Sequence, residues 1–273
     1  MFIFPFAPEG VLSQTDGGLH LIKEKFVGKS KHRGEKSMPH FHGMTLQWLG
    51  HATFHLQTAK GTSILIDPWM ESNPSFPKGW KAPDKIDLVL CSHGHGDHMG
   101  DALSVDQRYH PTFVGIYELT GWLSSKGVKK TVGMNLGGSF QFQDVTVSLV
   151  EAKHSSSIDD NGTAVYAGVA AGYILQIEGE PTLYHSGDTA LFSDMKLLHE
   201  LYAPKIACLP IGDHFTMGPR AAALAAQYVG AKTVIPMHYG TFPVLTGTPE
   251  GLRNHLRGKE IEVVDLRPGD SLK

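Results

Sequence analysis

Four side chains able to hold a metal ion are crowded into six residues. The run Cys91-Ser92-His93-Gly94-His95-Gly96-Asp97-His98 places three imidazoles and a carboxylate directly after the apolar segment 88–91. A hydrogen-bonded strand would hold the base of such a loop still. The intervening glycines remove bulk, so the side chains can fold towards a common point. Imidazole and carboxylate suit zinc, iron or manganese, and with no cysteine among the four, a structural zinc–thiolate site is disfavoured.

Around this cluster the hydrophobic pattern predicts strands at 45–49, 53–57, 63–66, 88–91, 112–115, 145–151, 172–177, 182–185, 206–210 and 233–236. Helices are predicted at 116–125, 193–202, 220–229 and 249–257, with Asp194, Pro219 and Thr248-Pro249 as starts for the last three. Strands mixed with helices, some paired without a helix between, indicate an α/β fold. Two packed sheets covered by helices suit the length, and the pattern alone leaves an ordinary doubly wound sheet open. Three further donors each end a strand-like run: His154 after 147–153, Asp188 after 183–187 and His238 after 234–237. Joined to the cluster, they supply two metal positions with a shared carboxylate.

This set resembles the metallo-β-lactamase superfamily, whose signature is a His-x-His-x-Asp-His loop followed by separate His, Asp and His ligands. All seven positions are filled. The resemblance implies that His93, His95 and His154 hold a first metal, that Asp97, His98 and His238 hold a second, and that Asp188 bridges them. It also implies a four-layer αβ/βα sandwich with two mixed β-sheets and the site at one edge between them. It runs from about residue 44 to the end, so 44–273 is expected to be the hydrolase domain and 1–43 an N-terminal extension. Within the superfamily the chain is similar to a small branch of metal-dependent hydrolases. The matching segments are Gly50-His51-Ala52-Thr53-Phe54, Asp67-Pro68, Tyr184-His185-Ser186-Gly187-Asp188-Thr189, Ile211-Gly212-Asp213-His214-Phe215-Thr216-Met217-Gly218-Pro219 and Pro236-Met237-His238-Tyr239-Gly240-Thr241. Ascorbate-6-phosphate lactonase and N-acyl-phosphatidylethanolamine phospholipase D resemble this branch more distantly.

Two divalent metal ions, zinc foremost and manganese or iron as alternatives, would acidify a bridging water to hydroxide near neutral pH. That hydroxide is the expected nucleophile on an ester, lactone or phosphodiester, since no Gly-x-Ser-x-Gly turn surrounds any serine. Family analogy makes Asp97 both ligand and proton carrier. His51, in a turn between two strands, and His214, in a turn before a helix, are candidates to support the site or stabilise developing negative charge. His185 is expected to pack or orient its strand end, and Asp67 to accept a hydrogen bond from a ligand imidazole. The helix starting at Pro219 offers a weaker anion site. Two rival readings stand beside hydrolysis: a non-catalytic metal-binding scaffold, and a redox di-iron protein on the same fold. Redox members typically place Glu where this chain has His95.

The hydrolase reading implies a small-molecule substrate. A net charge of −3 lacks the basic footprint of a nucleic-acid binder. No apolar stretch approaches the ~20 residues of a membrane span, which makes the cytoplasm the expected location. Cys91 and Cys208 read as buried free thiols. Four of the 16 histidines, His20, His32, His40 and His42, read as solvated N-terminal loop. Oligomeric state has no sequence signal.

Overall fold

Burial on both faces explains the centre of each sheet. The computed structural model describes residues 40–273, so most of the expected extension, including His20 and His32, lies outside the described residues. Its elements run β1 (Thr45–Trp48), β2 (Phe54–Gln57), β3 (Ser63–Ile66), β4 (Leu88–Leu90), α1 (Gly96–Met99), α2 (Ala102–Tyr109), β5 (Thr112–Ile116), α3 (Tyr117–Ser125), β6 (Thr131–Met134), β7 (Ser139–Phe142) and β8 (Val145–Glu151). They continue β9 (Ser157–Asp160), β10 (Thr163–Tyr166), β11 (Ala171–Ile177), β12 (Leu183–His185), α4 (Met195–Tyr202), β13 (Ile206–Pro210), α5 (Pro219–Tyr228), β14 (Thr233–Met237), α6 (Pro249–His255), β15 (Glu262–Val263) and β16 (Ser271–Leu272).

Two seven-stranded mixed sheets result, ordered β16-β1-β2-β3-β4-β5-β6 and β15-β14-β13-β12-β11-β8-β7, with β9 and β10 forming a separate hairpin. Strands β3 to β6 are parallel, as are β12 to β15. Buried parallel strands carry near-continuous apolar residues, and β3, β4, β13 and β14 are buried at every position. By contrast β1, antiparallel to its neighbours, alternates half-buried with buried residues.

Side-chain alternation assigns the layers. Tyr173, Leu175 and Ile177 of β11 enter the core shared with the first sheet, while Ile174 enters a second core with Met195, Leu198, Ala222 and Leu252 from α4, α5 and α6. Strand β13 splits likewise, Ile206 and Cys208 to the first core and Ala207 and Leu209 to the second. Helix α3 packs on β5 and β6 of the first sheet. Sheets face one another with helices outside, as the family resemblance implied. Within the central core the buried Tyr173 hydroxyl donates to the carbonyls of Cys91 (2.7 Å) and Val114 (3.0 Å), pinning the second sheet to the strand end that leads into the histidine cluster.

Some expectations need correction, and others hold. Helices α1 and α2 and strands β6, β7, β9, β10, β15 and β16 were not anticipated. Strands β7 and β10 are four residues each, with no position fully buried, too short and too exposed to stand out along the chain. Asp194 stands at the start of α4 without a side-chain cap, whereas Thr248 does cap α6 through the Gly251 N–H at 3.1 Å. Cys91 and Cys208 are both free and buried. His40 and His42 are exposed, yet Phe41 between them is buried. Glu180 accepts the backbone N–H groups of His42 and Met44. No described helix is long and apolar enough to cross a membrane.

Replacing Tyr173 by Phe should leave secondary structure intact and cost about 1–2 kcal/mol, the usual range for a lost buried hydrogen bond. Urea unfolding monitored by circular dichroism measures this, and an unchanged midpoint would show that the hydroxyl does not pin the sheets.

Candidate metal centre

All the candidate donors leave strand ends that converge on one edge of the two sheets. From the first sheet come Asp67 after β3 and the cluster after β4. From the second come His154 after β8, Asp188 after β12 and His238 after β14. For Asp67, the cluster, Asp188 and His238 these are the carboxyl ends of strands with parallel neighbours, where open α/β sheets bind their ligands.

The cluster itself divides in two. His93 lies in the bend after β4, and His95, in extended backbone (φ −67°, ψ 148°), is the residue before α1. The single turn of α1 then swings Asp97 and His98 to a different side. His93 Nε2 and His95 Nδ1 lie 3.0 Å apart, and the His154 ring stands 5.0 and 5.1 Å from theirs, centroid to centroid. The donor atoms of His93, His95 and His154 fall within 4.8 Å of one another. Those of His51, Asp97, His98 and His238 do the same, and so do those of His93, His98 and Asp188. Asp188 Oδ2 links the sets, at 3.0 Å from His238 Nε2, 3.3 Å from His98 Nε2 and 3.6 Å from His154 Nε2.

Supporting contacts fix these rings. Asp67 accepts from the Ser92 N–H (2.7 Å), the Ser92 hydroxyl (2.7 Å) and His98 Nδ1 (2.8 Å). The expected bond from Asp67 to a cluster imidazole is therefore present. Ser92 also contacts His93 Nδ1 at 3.0 Å. His51 Nε2 lies 3.1 Å from Asp97 Oδ2, and its Nδ1 is 2.9 Å from Thr241 Oγ1. His185 ties two site turns together, donating to the Ala52 carbonyl (3.0 Å) and accepting from the Gly187 N–H (3.2 Å). His214 stands apart: it is exposed, and its ring packs edge-on against Phe215 with centroids 4.5 Å apart. Thr241 and Ser92 were not singled out from the sequence. Each is recognisable only through a tertiary contact, Thr241 lying 190 residues from the histidine it touches.

Electrostatics separates the two donor sets. Burial holds His93 well below its ordinary value of 6.5 and also lowers His95 and His154, so that set is neutral. In the other set burial is overridden. Asp188 and Asp67 hold His98 well above 6.5, and Asp188 and Asp97 push His238 up to about 9. In return, His98 and His238 keep the Asp188 carboxyl well below the usual range, and His238 and His51 do so for Asp97, in each case against burial. Burial brings His51 down to about 4, opposed by Asp97. Protons here occupy places a cation would take. The fit is borne out by loose ends: His98 Nε2, His238 Nε2 and Asp188 Oδ1 are buried with no well-aligned hydrogen-bond partner among the described residues. Donors of this kind, in these groupings, suit divalent metal.

Comparison with known proteins agrees. The profile of the beta-lactamase superfamily domain matches residues 62–239. A UPF0173 metal-dependent hydrolase of Koribacter versatilis is 49% identical over 229 residues, covering 84% of this chain and 97% of the relative. One from Methanopyrus kandleri is 44% identical, covering 84% and 99%. Among solved structures, Igni18, described as a novel metallo hydrolase from Ignicoccus hospitalis, is 35% identical, with a TM-score of 0.74 and coverage of 84% and 97%.

Two tests follow from this geometry. A Cβ on Gly94 would meet Ala167 Cβ at 2.7 Å and Ile158 Cγ1 at 2.9 Å, whereas one on Gly96 meets nothing within 4 Å. Only the first glycine of the cluster is therefore required by packing, which corrects the expectation for the second. Gly94→Ala should displace the cluster from the β9–β10 hairpin and lower metal content, while Gly96→Ala should retain it; metal analysis of both purified variants decides. The second test uses His238, whose folded value near 9 exceeds its unfolded 6.5. Its stabilising contribution is complete below pH 6.5 and is lost as pH rises through 9. Metal-stripped protein should therefore melt at falling temperatures from pH 6.5 to 9.5. Metal-loaded protein, its protons displaced, should show a much flatter profile in the same scan.

Proposed function

Because the chain belongs to the metallo-β-lactamase superfamily and to its metal-dependent hydrolases, we propose that it hydrolyses an ester, lactone or phosphodiester at a two-metal site. The observation that carries this is Asp188, a buried carboxylate whose Oδ2 faces imidazoles of both donor sets. In this reading His93, His95 and His154 hold one cation, Asp97, His98 and His238 the other, and Asp188 both. Zinc suits the histidine-rich set best, with manganese or iron as alternatives. Bound there, the pair would supply a water acidified to near neutral pH and an electrophile for the carbonyl or phosphoryl oxygen.

The protein's own groups have distinct tasks. Asp97 is the more open of the two carboxylates, with 26% of its side chain exposed against 2% for Asp188. It can meet substrate and carry a proton towards the leaving group, while Asp188 cannot reach solvent. Asp67 holds His98 through Nδ1, leaving Nε2 directed at the site. Trp69 and Phe242 flank His51, with ring centroids 5.0 and 5.6 Å from it, and form an apolar wall beside that donor set. His214, exposed on its loop, is assigned no contact with the reacting groups.

Protein purified without chelators should carry close to two metal equivalents per chain by mass spectrometry. Asp188→Ala should lose roughly one equivalent and most turnover on a lactone and phosphodiester panel while keeping its circular dichroism spectrum. A variant that retains both metals and full activity would remove Asp188 from the reaction.

A further inference from the structure

We propose that His51 is itself a ligand of the second metal position, joining Asp97, His98 and His238 through Nε2. This rests on the two-metal reading above and extends its donor set from seven residues to eight. The donor atoms of all four residues lie within 4.8 Å of one another, the same closeness that unites His93, His95 and His154. Two donors that each sit about 2.1 Å from one metal are themselves about 3–3.4 Å apart. His51 Nε2 and Asp97 Oδ2 are 3.1 Å apart.

The other ring nitrogen is placed as a ligating imidazole requires. Nδ1 lies 2.9 Å from Thr241 Oγ1, and that hydroxyl has the Tyr239 carbonyl at 3.5 Å as an acceptor for its own proton. Thr241 can therefore take a hydrogen bond from Nδ1–H, which leaves the Nε2 lone pair facing the site. The backbone is committed to this orientation. His51 is fully buried with φ +54°, a left-handed conformation costly for a side chain of this kind. Its carbonyl is gripped by the His238 N–H and by Trp48 Nε1, each at 3.0 Å. The ring lies 3.8 Å from that of His238 and 5.7 Å from that of His98, centroid to centroid.

A plain hydrogen bond from Nε2–H to Asp97 is the competing role, and two substitutions separate them. His51→Asn preserves a residue that tolerates the left-handed backbone. His51→Gln preserves an N–H able to reach Asp97. Chelator-stripped full-length protein is titrated with Zn2+ against a chromophoric competitor. As a ligand, His51 predicts that both variants keep the first equivalent and weaken the second beyond the ~10–100-fold that loss of an outer hydrogen bond costs. Cobalt(II)-loaded protein should also lose one strongly shifted exchangeable imidazole resonance, the His51 Nδ1–H, in both variants. Wild-type affinity for the second equivalent in His51→Gln, with every shifted resonance retained, overturns the proposal. So does loss of both equivalents in both variants, which would make His51 structural. Fewer than two equivalents in the unaltered chain would instead overturn the two-metal reading itself.

Discussion

A carboxylate buried to 2% exposure stays ionised only where positive charge surrounds it, and Asp188 has three imidazole nitrogens within 3.6 Å of one oxygen. Asp67, also fully buried, accepts from His98 Nδ1 and from the N–H and hydroxyl of Ser92. His98 lies between the two acids and is stabilised as a cation by both. The metal-free site is therefore a closed charge network in which protons hold the places of cations. Removing Asp188 would leave His98 and His238 without their buried counter-charge, a loss that an exposed cluster of the same residues would feel far less.

Left-handed backbone recurs at the same edge. His51, Asp67 and His238 all have positive φ, as do Asp213 and His214 in the neighbouring loop. Such conformations cost of order 1 kcal/mol each and persist only where surrounding contacts over-determine them. Here they are over-determined. The His238 N–H is bonded to the His51 carbonyl, and His185 links Ala52 to Gly187. One backbone bond thus joins the His51 and His238 turns, and the His185 ring joins the Ala52 and Gly187 turns. The strain directs the imidazoles inward at strand ends, where an extended continuation would carry them along the sheet.

Much of this was legible in the chain. The seven candidate donors announce themselves by spacing and by their positions after apolar runs, and Asp67-Pro68 advertised a turn at a strand end. The buried central strands were legible for the same reason, since burial on both faces demands an unbroken apolar run. What escaped notice had no local signal. Helix α1 is one turn made of Gly, Asp, His and Met, which are mostly poor helix formers, and it exists because the cluster must change direction between His95 and Asp97. The hairpin of β9 and β10 is two four-residue strands with only Ile158 buried, and it is held where Gly94 lets it approach. Thr241 is an unremarked hydroxyl until folding sets it against His51.

The division of donors between sheets has a consequence for stability as well as chemistry. His93, His95, Asp97 and His98 hang from the first sheet, and His154, Asp188 and His238 from the second. Cations held by both groups would cross-link the two sheets at that edge, adding to the bond that Tyr173 makes deeper in the core. Ligand present at a hundred times its dissociation constant contributes about 2.7 kcal/mol to the folded state. Domains of this kind have only about 5–15 kcal/mol in total. Metal held there would therefore link metal content to the stability of the fold, since the same donors join the ends of both sheets.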